Sequence, residues 1–166
     1  MHTSTHPTPV GPITLSATEQ GLVSSKFTTT SHPTPPPRGS KAQAWLDQAC
    51  QELDEYFNES RQTFTVPTDQ SRTNPFDRAV QEALTKIPKG STTTYGRLTA
   101  ELGLPRETVR KVAAALARNT LLIIVPCHRV VGADGALVGY AGGIAVKRWL
   151  LDHEGSQQQL ALPLTG

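Results

Sequence analysis

Leu121-Leu122-Ile123-Ile124-Val125-Pro126-Cys127-His128-Arg129-Val130-Val131 is an apolar, largely β-branched run that stops at a proline. A thiol, an imidazole and a guanidinium follow at once. Four to eight such residues read as a buried strand or buried extended segment. Pro126 cannot donate a ladder hydrogen bond, so pairing should end there. Cys127 would then close a buried segment, with a base and a fixed positive charge beside it. Those neighbours favour the thiolate, against an ordinary thiol pKa of about 8.5. The same residues also fit a plain buried structural cysteine, the commonest fate of a free thiol.

Beyond the stretch, Ala133-Asp134-Gly135 marks a turn. Gly139-Tyr140-Ala141-Gly142-Gly143 is a loop of small residues around one aromatic, and its glycines permit close backbone approach to a ligand. It is not a phosphate-binding fingerprint. Ile144 to about His153 reads as a helix, with Gly155 at its C-terminal end. Glu154 thus stands at the negative end of a helix, which is unfavourable for a carboxylate. Such a charge calls for a partner, and His128 is the obvious candidate; a solvated helix end is the alternative. Residues 156–166 read as a frayed tail.

Ahead of the stretch, Asn74 and Pro75 open a helix as N-cap and first helical residue. Its expected apolar stripe is Phe76, Ala79, Val80, Ala83, Leu84 and Ile87. Thr94 to Leu102 is a second helix, and Pro105 starts a third that runs to about Arg118. A short turn with Gly103 joins these two, which suggests a helix-turn-helix. In the third helix Val109, Val112, Ala113 and Leu116 should face the core. Arg106, Arg110, Ala114 and Ala117 share an adjacent face. Methyl groups there let a partner come close, and the arginines suit phosphate or base contacts. Alanines and exposed arginines also occur on helices with no such role.

The first half of the chain carries less chemistry. Residues 1–9 read as a loose end. Ile13, Leu15 and Ala17 alternate with polar residues as in a half-buried strand, and Leu22 to Phe27 return after a Glu19-Gln20-Gly21 loop. Ser31 to Ser40 is a proline-rich loop. Ser40 and Gln43 form a capping box for a helix that shows Trp45, Leu46, Ala49, Leu53, Tyr56 and Phe57 on one face. Gln62 to Val66, stopped by Pro67, is the expected third strand. The fold expected is therefore α+β: residues 1–73 form a small α/β domain and linker, with a three-stranded antiparallel sheet and a helix. Residues 74–166 form a mostly helical domain with a helix-turn-helix.

The chain has 166 residues and two cysteines, Cys50 and Cys127, which form no disulfide framework. A reducing compartment is expected, the cytoplasm, or the nucleus if the organism is a eukaryote. Met1-His2-Thr3-Ser4 does not begin a signal peptide, and Leu121 to Val125 is far short of the ~20 residues that span a membrane. Residues 1–73 hold five Lys/Arg against seven Asp/Glu, whereas residues 74–166 hold eleven against seven. The half that carries Cys127 is thus the basic one, which fits a polyanion partner.

Pro126-Cys127-His128-Arg129-Val130 and the glycine-rich loop after it closely resemble the O6-alkylguanine-DNA alkyltransferases. The likeness covers about ninety residues. It takes in Ile87-Pro88-x-Gly90, Thr94-Tyr95, Arg110-x-Val112, Asn119, Tyr140-x-Gly142-Gly143, Lys147 and Leu150-Leu151-x-His153-Glu154. In the first half it extends to the layout and to Gly11-Pro12-x-Thr14-Leu15. The resemblance implies that Cys127 is the alkyl acceptor, that His128 takes its proton through a water, and that Glu154 orients His128. It implies a hinge at Asn119 and an Arg110 that fills the gap left by a guanine extruded through the minor groove. Tyr95 would donate to the guanine ring nitrogen, and the carbonyls of Cys127 and Val130 would accept from its exocyclic amine. The Ala141 amide would contact the guanine oxygen beside Gly142, with Tyr140 lining the pocket and Lys147 supporting it. The partner implied is duplex DNA with alkylated guanine, met by a monomer without a cofactor.

Departures are few. Gln81 follows Val80 where the family often has tryptophan, and Ala141 replaces a common serine or glycine. Some relatives bind zinc in the first domain through Cys and His; with Cys50 alone there, no zinc is expected. A non-catalytic alkylated-DNA-binding relative would lack the cysteine, which Cys127 argues against. A cysteine hydrolase would need Cys127 and His128 to pair directly, although neighbours on an extended segment point to opposite faces.

Overall fold

The computed structural model describes residues 1–28 and 32–155. The expected tail at 156–166, and Ser31 at the start of the proline-rich loop, lie outside the described residues. The chain forms two compact units, Met1–Arg72 and a second that begins at Thr73.

In the first unit, β1 (His2–His6), β2 (Ile13–Ala17) and β3 (Leu22–Phe27) form an antiparallel sheet with β2 in the middle. Ile13, Leu15 and Ala17 are fully buried, and α1 (Lys41–Phe57) packs on β2. Helix α1 turns Ala42, Leu46, Ala49, Leu53 and Tyr56 inward, leaving Trp45 and Phe57 half-buried. Ser40 accepts from the Gln43 amide at 3.2 Å, while the Gln43 side chain accepts from the Gly39 amide rather than from Ser40. The capping box is therefore displaced by one residue.

Two expectations fail here. Residues 1–9 are not loose, because His2–His6 is an edge strand paired from His2↔Ala17 to His6↔Ile13. Its sequence shows no apolar alternation; threonine suits a pleated surface, and β2 supplies the ladder. His6 Nε2 meets Asp54 at 2.7 Å and ties this edge to α1. Gln62–Val66, in turn, is no strand. Its last two amides go to a buried carboxylate: Glu52 accepts from Thr65 N at 2.6 Å and from Val66 N at 3.1 Å. Glu52 is 2% exposed and also accepts from the Gln48 side chain. Glu52→Ala should strand the buried Val66 amide and free the part-buried Thr65 amide, and lower stability by about 1–3 kcal/mol in urea unfolding. A loss under about 1 kcal/mol would show that the segment finds other partners.

The second unit opens with α2 (Pro75–Thr85), capped by the Asn74 side chain on the Asp77 amide at 2.8 Å. Its buried face is Asp77, Val80, Gln81 and Leu84, with Ala79 exposed and Phe76 and Ala83 half-buried, so the expected stripe is rotated. After β4 (Thr93–Thr94) come α3 (Tyr95–Glu101) and α4 (Val109–Ala117), joined by a turn in which Gly103 takes φ 72°. The inward face of α4 is Val112, Ala115 and Leu116. Val109 and Ala113, expected in the core, are half-buried. Strand β5 (Val130–Val131) and α5 (Ile144–His153) complete the unit.

Leu121–Val125 is buried throughout, yet it is a tight turn rather than a strand. The Val125 amide bonds back to Leu121 O at 2.8 Å, and Ile123 adopts φ 72°. A short apolar run signals burial without saying how its backbone is paired. The pairing lies beyond it, where β5 runs parallel to β4 through Thr93↔Val130 and Thr94↔Val131. That two-residue ladder sets the start of α3 beside the segment that follows Cys127.

Candidate active site

Pro126 ends the buried turn, and Cys127–Arg129 form one turn of 3-10 helix. The expectation drawn from an extended segment, with Cys127 and His128 on opposite faces, therefore does not apply. Cys127 lies on the wall of a cavity of about 520 Å³. Helix α4 lines one part of that cavity with Val109, Arg110, Ala113, Leu116 and Ala117. Tyr95 and the loop from Val138 to Ala141 line another. Val109 and Ala113 thus border the cavity instead of the core. Arg106, Arg110, Ala114 and Ala117 are all exposed. Among the described residues, Arg106, Ala114, Val130 and Gly142 are not part of the cavity lining.

Behind the thiol stands a buried polar cluster. His128 Nε2 lies 2.8 Å from Glu154 Oε2, and both side chains are fully buried. A carboxylate only accepts, so Nε2 carries the proton and Nδ1 keeps its lone pair. Nδ1 is buried with no hydrogen-bond partner of its own. Burial drives the His128 pKa below its ordinary value; Glu154 pulls it up and loses to burial, which Arg129 and Lys147 reinforce. Neutral imidazole with a bare nitrogen is the form a general base needs.

Glu154 has a second partner that the sequence reading missed. Arg129 Nε and Nη2 hold its two oxygens at 2.9 and 3.0 Å, and Arg129 Nη1 donates to Ile87 O at 2.6 Å. Burial alone would raise the Glu154 carboxyl; the hydrogen bonds and charges of His128 and Arg129 reverse this and hold it well below the usual range. The adjacent Arg129 in the sequence was the available signal, misread as a partner for the thiol.

The thiol is accordingly less acidic than expected. Burial pushes the Cys127 pKa up, opposed by a hydrogen bond from Asn119 and by the charge of Lys147. The expected help from His128 and Arg129 does not materialise, because one is neutral and the other is bound to Glu154. Asn119 Nδ2 donates to Cys127 Sγ and to Val125 O, each at 3.2 Å, while its Oδ1 accepts from Leu121 N at 3.0 Å. Lys147, 1% exposed, donates to Val130 O at 2.7 Å, Val138 O at 3.0 Å and Gly139 O at 3.3 Å. Burial lowers its pKa to about 8.

Tyr95 donates to Val138 O at 3.2 Å, so in the free protein its hydroxyl is held by the loop. The Tyr140 ring stands edge-on to His128, with centroids 6.4 Å apart, and its buried hydroxyl has no partner. Ala141 is exposed at the cavity. Cys50, by contrast, is pushed up to about 11 by burial and by Asp47 and Asp54. No group of three or more His, Cys, Asp or Glu side chains among the described residues is placed to hold a metal ion. No helix there is long and apolar enough to cross a membrane.

These features define a class: a helix-turn-helix protein with a buried free cysteine at a cavity wall and a buried His–Glu–Arg cluster next to it in the chain. Comparison with known proteins narrows it. Residues 75–156 match the family model of the 6-O-methylguanine DNA methyltransferase DNA-binding domain, and residues 1–70 match its ribonuclease-like domain. The methylated-DNA–protein-cysteine methyltransferase of Methanosarcina acetivorans is 37% identical, over 89% of this chain and 94% of its own. The crystal structure of Mycobacterium tuberculosis O6-methylguanine methyltransferase, 36% identical, superposes with a TM-score of 0.79 over 93% of both chains. The Mycobacterium tuberculosis OGT solved in complex with DNA gives 0.78 at 38% identity, over 92% of each. The chain belongs to the methylated-DNA–protein-cysteine methyltransferase family.

Proposed function

We propose that this protein repairs duplex DNA by moving the alkyl group of O6-alkylguanine, or of O4-alkylthymine, irreversibly onto Cys127. The observation that carries the reading is the cavity itself, whose wall Cys127 shares with Arg110, Ala113 and Ala117 of α4. The target atom is stacked inside the duplex, so the base must be extruded to reach the thiol. Helix α4 would enter the minor groove on Ala114 and Ala117, with Arg106 on phosphate and Arg110 in the gap.

Within the pocket, His128 Nδ1 takes the thiol proton through a water, and Glu154 keeps the imidazole in the right tautomer. Sulfur attacks the alkyl carbon, a carbon–sulfur bond forms, and the carbon–oxygen bond breaks with its electrons moving onto guanine. Tyr95 leaves the Val138 carbonyl to hydrogen-bond the ring nitrogen where that charge collects. The thiol hydrogen ends on guanine overall. Asn119 and Lys147 keep the sulfur and the loop in register, and the Cys127 and Val130 carbonyls and the Ala141 amide, beside Tyr140 and Gly142, read the base. A monomer in a reducing compartment, the cytoplasm or a nucleus, fits two free thiols.

Arg110→Ala separates extrusion from chemistry. Reaction with alkylated duplex should slow roughly tenfold to a hundredfold, the effect of losing ~1–3 kcal/mol of support for the flipped state. Reaction with free O6-benzylguanine should hardly change. Equal losses on both substrates would place Arg110 in the pocket chemistry instead. Duplex affinity should also fall as salt rises, through counterion release; a flat salt response would count against DNA as the partner.

A further inference from the structure

One ion pair in the second unit has no part in the scheme above. Arg118, the C-cap of α4, grips Asp77 in the first turn of α2 with both ends of its guanidinium. Nε meets Oδ2 and Nη2 meets Oδ1, each at 2.7 Å. The Asp77 side chain is 8% exposed and that of Arg118 is 52% exposed. A bidentate fork of this kind fixes orientation as well as distance. Arg118 is followed at once by Asn119, whose amide bonds back to Leu116 O at 3.0 Å and whose carboxamide touches Cys127 Sγ.

We propose that Asp77 and Arg118 are positioning residues for the transfer: the pair locks the end of α4 onto α2 and so holds the Asn119 carboxamide against the Cys127 sulfur. This rests on the functional reading of Cys127, but the clamp can be tested without it. Helix α4 carries the arginine-and-alanine face, and the residue after its C-cap is the one that donates to the thiol. One ion pair thereby ties the placement of that face to the state of the nucleophile. Asp77 contributes a fully engaged carboxylate at a helix N-terminus, where negative charge is favoured. Arg118 contributes a planar fork that lysine cannot reproduce.

Iodoacetamide reads the thiol independently of transfer: the thiolate attacks its methylene carbon, a carbon–sulfur bond forms and iodide leaves. Peptide-resolved mass spectrometry gives the labelling rate of Cys127 against pH. The midpoint reports thiol acidity, and the high-pH plateau reports access. In Asp77→Asn and in Arg118→Lys the midpoint should rise by about one pH unit, so that labelling near neutrality slows roughly tenfold relative to the plateau. The double variant Asp77→Asn/Arg118→Gln leaves no buried unpaired charge, so its Tm should recover above that of Arg118→Gln, which strands the buried Asp77 carboxylate. Its midpoint should stay shifted. A midpoint unchanged in the single variants, or one that recovers with Tm in the double variant, would overturn the proposal and leave the bonds to Leu121 and Val125 as sufficient to hold Asn119. Transfer from duplex O6-methylguanine is followed on the same samples. A wild-type protein that labels normally yet never accepts an alkyl group would sink the functional reading and leave the clamp standing.

Discussion

Mixed with an excess of duplex carrying O6-methylguanine, the protein should take up one methyl group per molecule and then stop. Transfer turns the thiolate into a thioether, a poor leaving group. The other cysteine of the chain, Cys50, has a thiol pushed up to about 11 and is poorly placed to attack anything at neutral pH. The methyl mass should appear on the peptide containing Pro126-Cys127-His128. Cys127→Ser should drop uptake to background while duplex binding persists, because a hydroxyl is a far weaker nucleophile at neutral pH. Alkylated protein should also melt earlier. Cys127 is 7% exposed at the cavity wall, and a methyl group that crowds the Asn119 carboxamide, 3.2 Å from the sulfur, should cost about 1–3 kcal/mol, as extra carbon against packed atoms does. Repeated turnover without added reductant, or methyl mass on Cys50, would refute the single-use reading.

Glu154→Gln should be the most damaging change outside the nucleophile. It removes the buried carboxylate that holds both His128 and Arg129. Breaking a buried pair on one side leaves an uncompensated charge, here the Arg129 guanidinium, at a cost of about 3–5 kcal/mol. Urea unfolding measures it; a loss below about 1 kcal/mol would mean that Arg129 finds water or another acceptor. The pH dependence has a defined sign. Folding holds the Glu154 carboxyl below its ordinary value of 4.5, so its contribution is present above that pH and is lost as pH falls toward the folded value. His128 is held below 6.5, so the unfolded chain takes up its proton first and acid again favours unfolding. Wild-type stability should therefore fall from about pH 6.5 downward, with a further fall below about pH 4.5. The lower fall should be smaller in Glu154→Gln, where Asp77, Asp69 and Glu55, also held below their ordinary values, supply what remains. Stability that rose on acidification would contradict both assignments.

Much of this molecule is written locally. The N-caps at Ser40, Asn74 and Thr94 each accept a hydrogen bond from an amide three residues on. A single side chain is enough to start a helix in that way. The alternation in Ile13–Ala17 and the return at Leu22–Phe27 fixed two strands for the same reason: a half-buried ladder needs period two. Cys127, His128 and Glu154 were legible too, the last because a carboxylate at the wrong end of a helix needs a partner.

Tertiary structure decided what no local pattern encodes. His2–His6 is a strand because β2 offers it a ladder, and Gln62–Val66 is not one because Glu52, far away in sequence, takes its last two amides. Leu121–Val125 had the composition of a strand and became a turn, since burial on every side requires apolar residues whatever the backbone does. Thiol acidity followed the same rule. Sequence neighbours placed a base and a fixed cation beside Cys127, but burial keeps the base neutral and Glu154 captures the cation, leaving Asn119 and Lys147 to act on the sulfur. Proximity in the chain names the chemical groups; desolvation and pairing in the folded core determine which of them are charged and what they face.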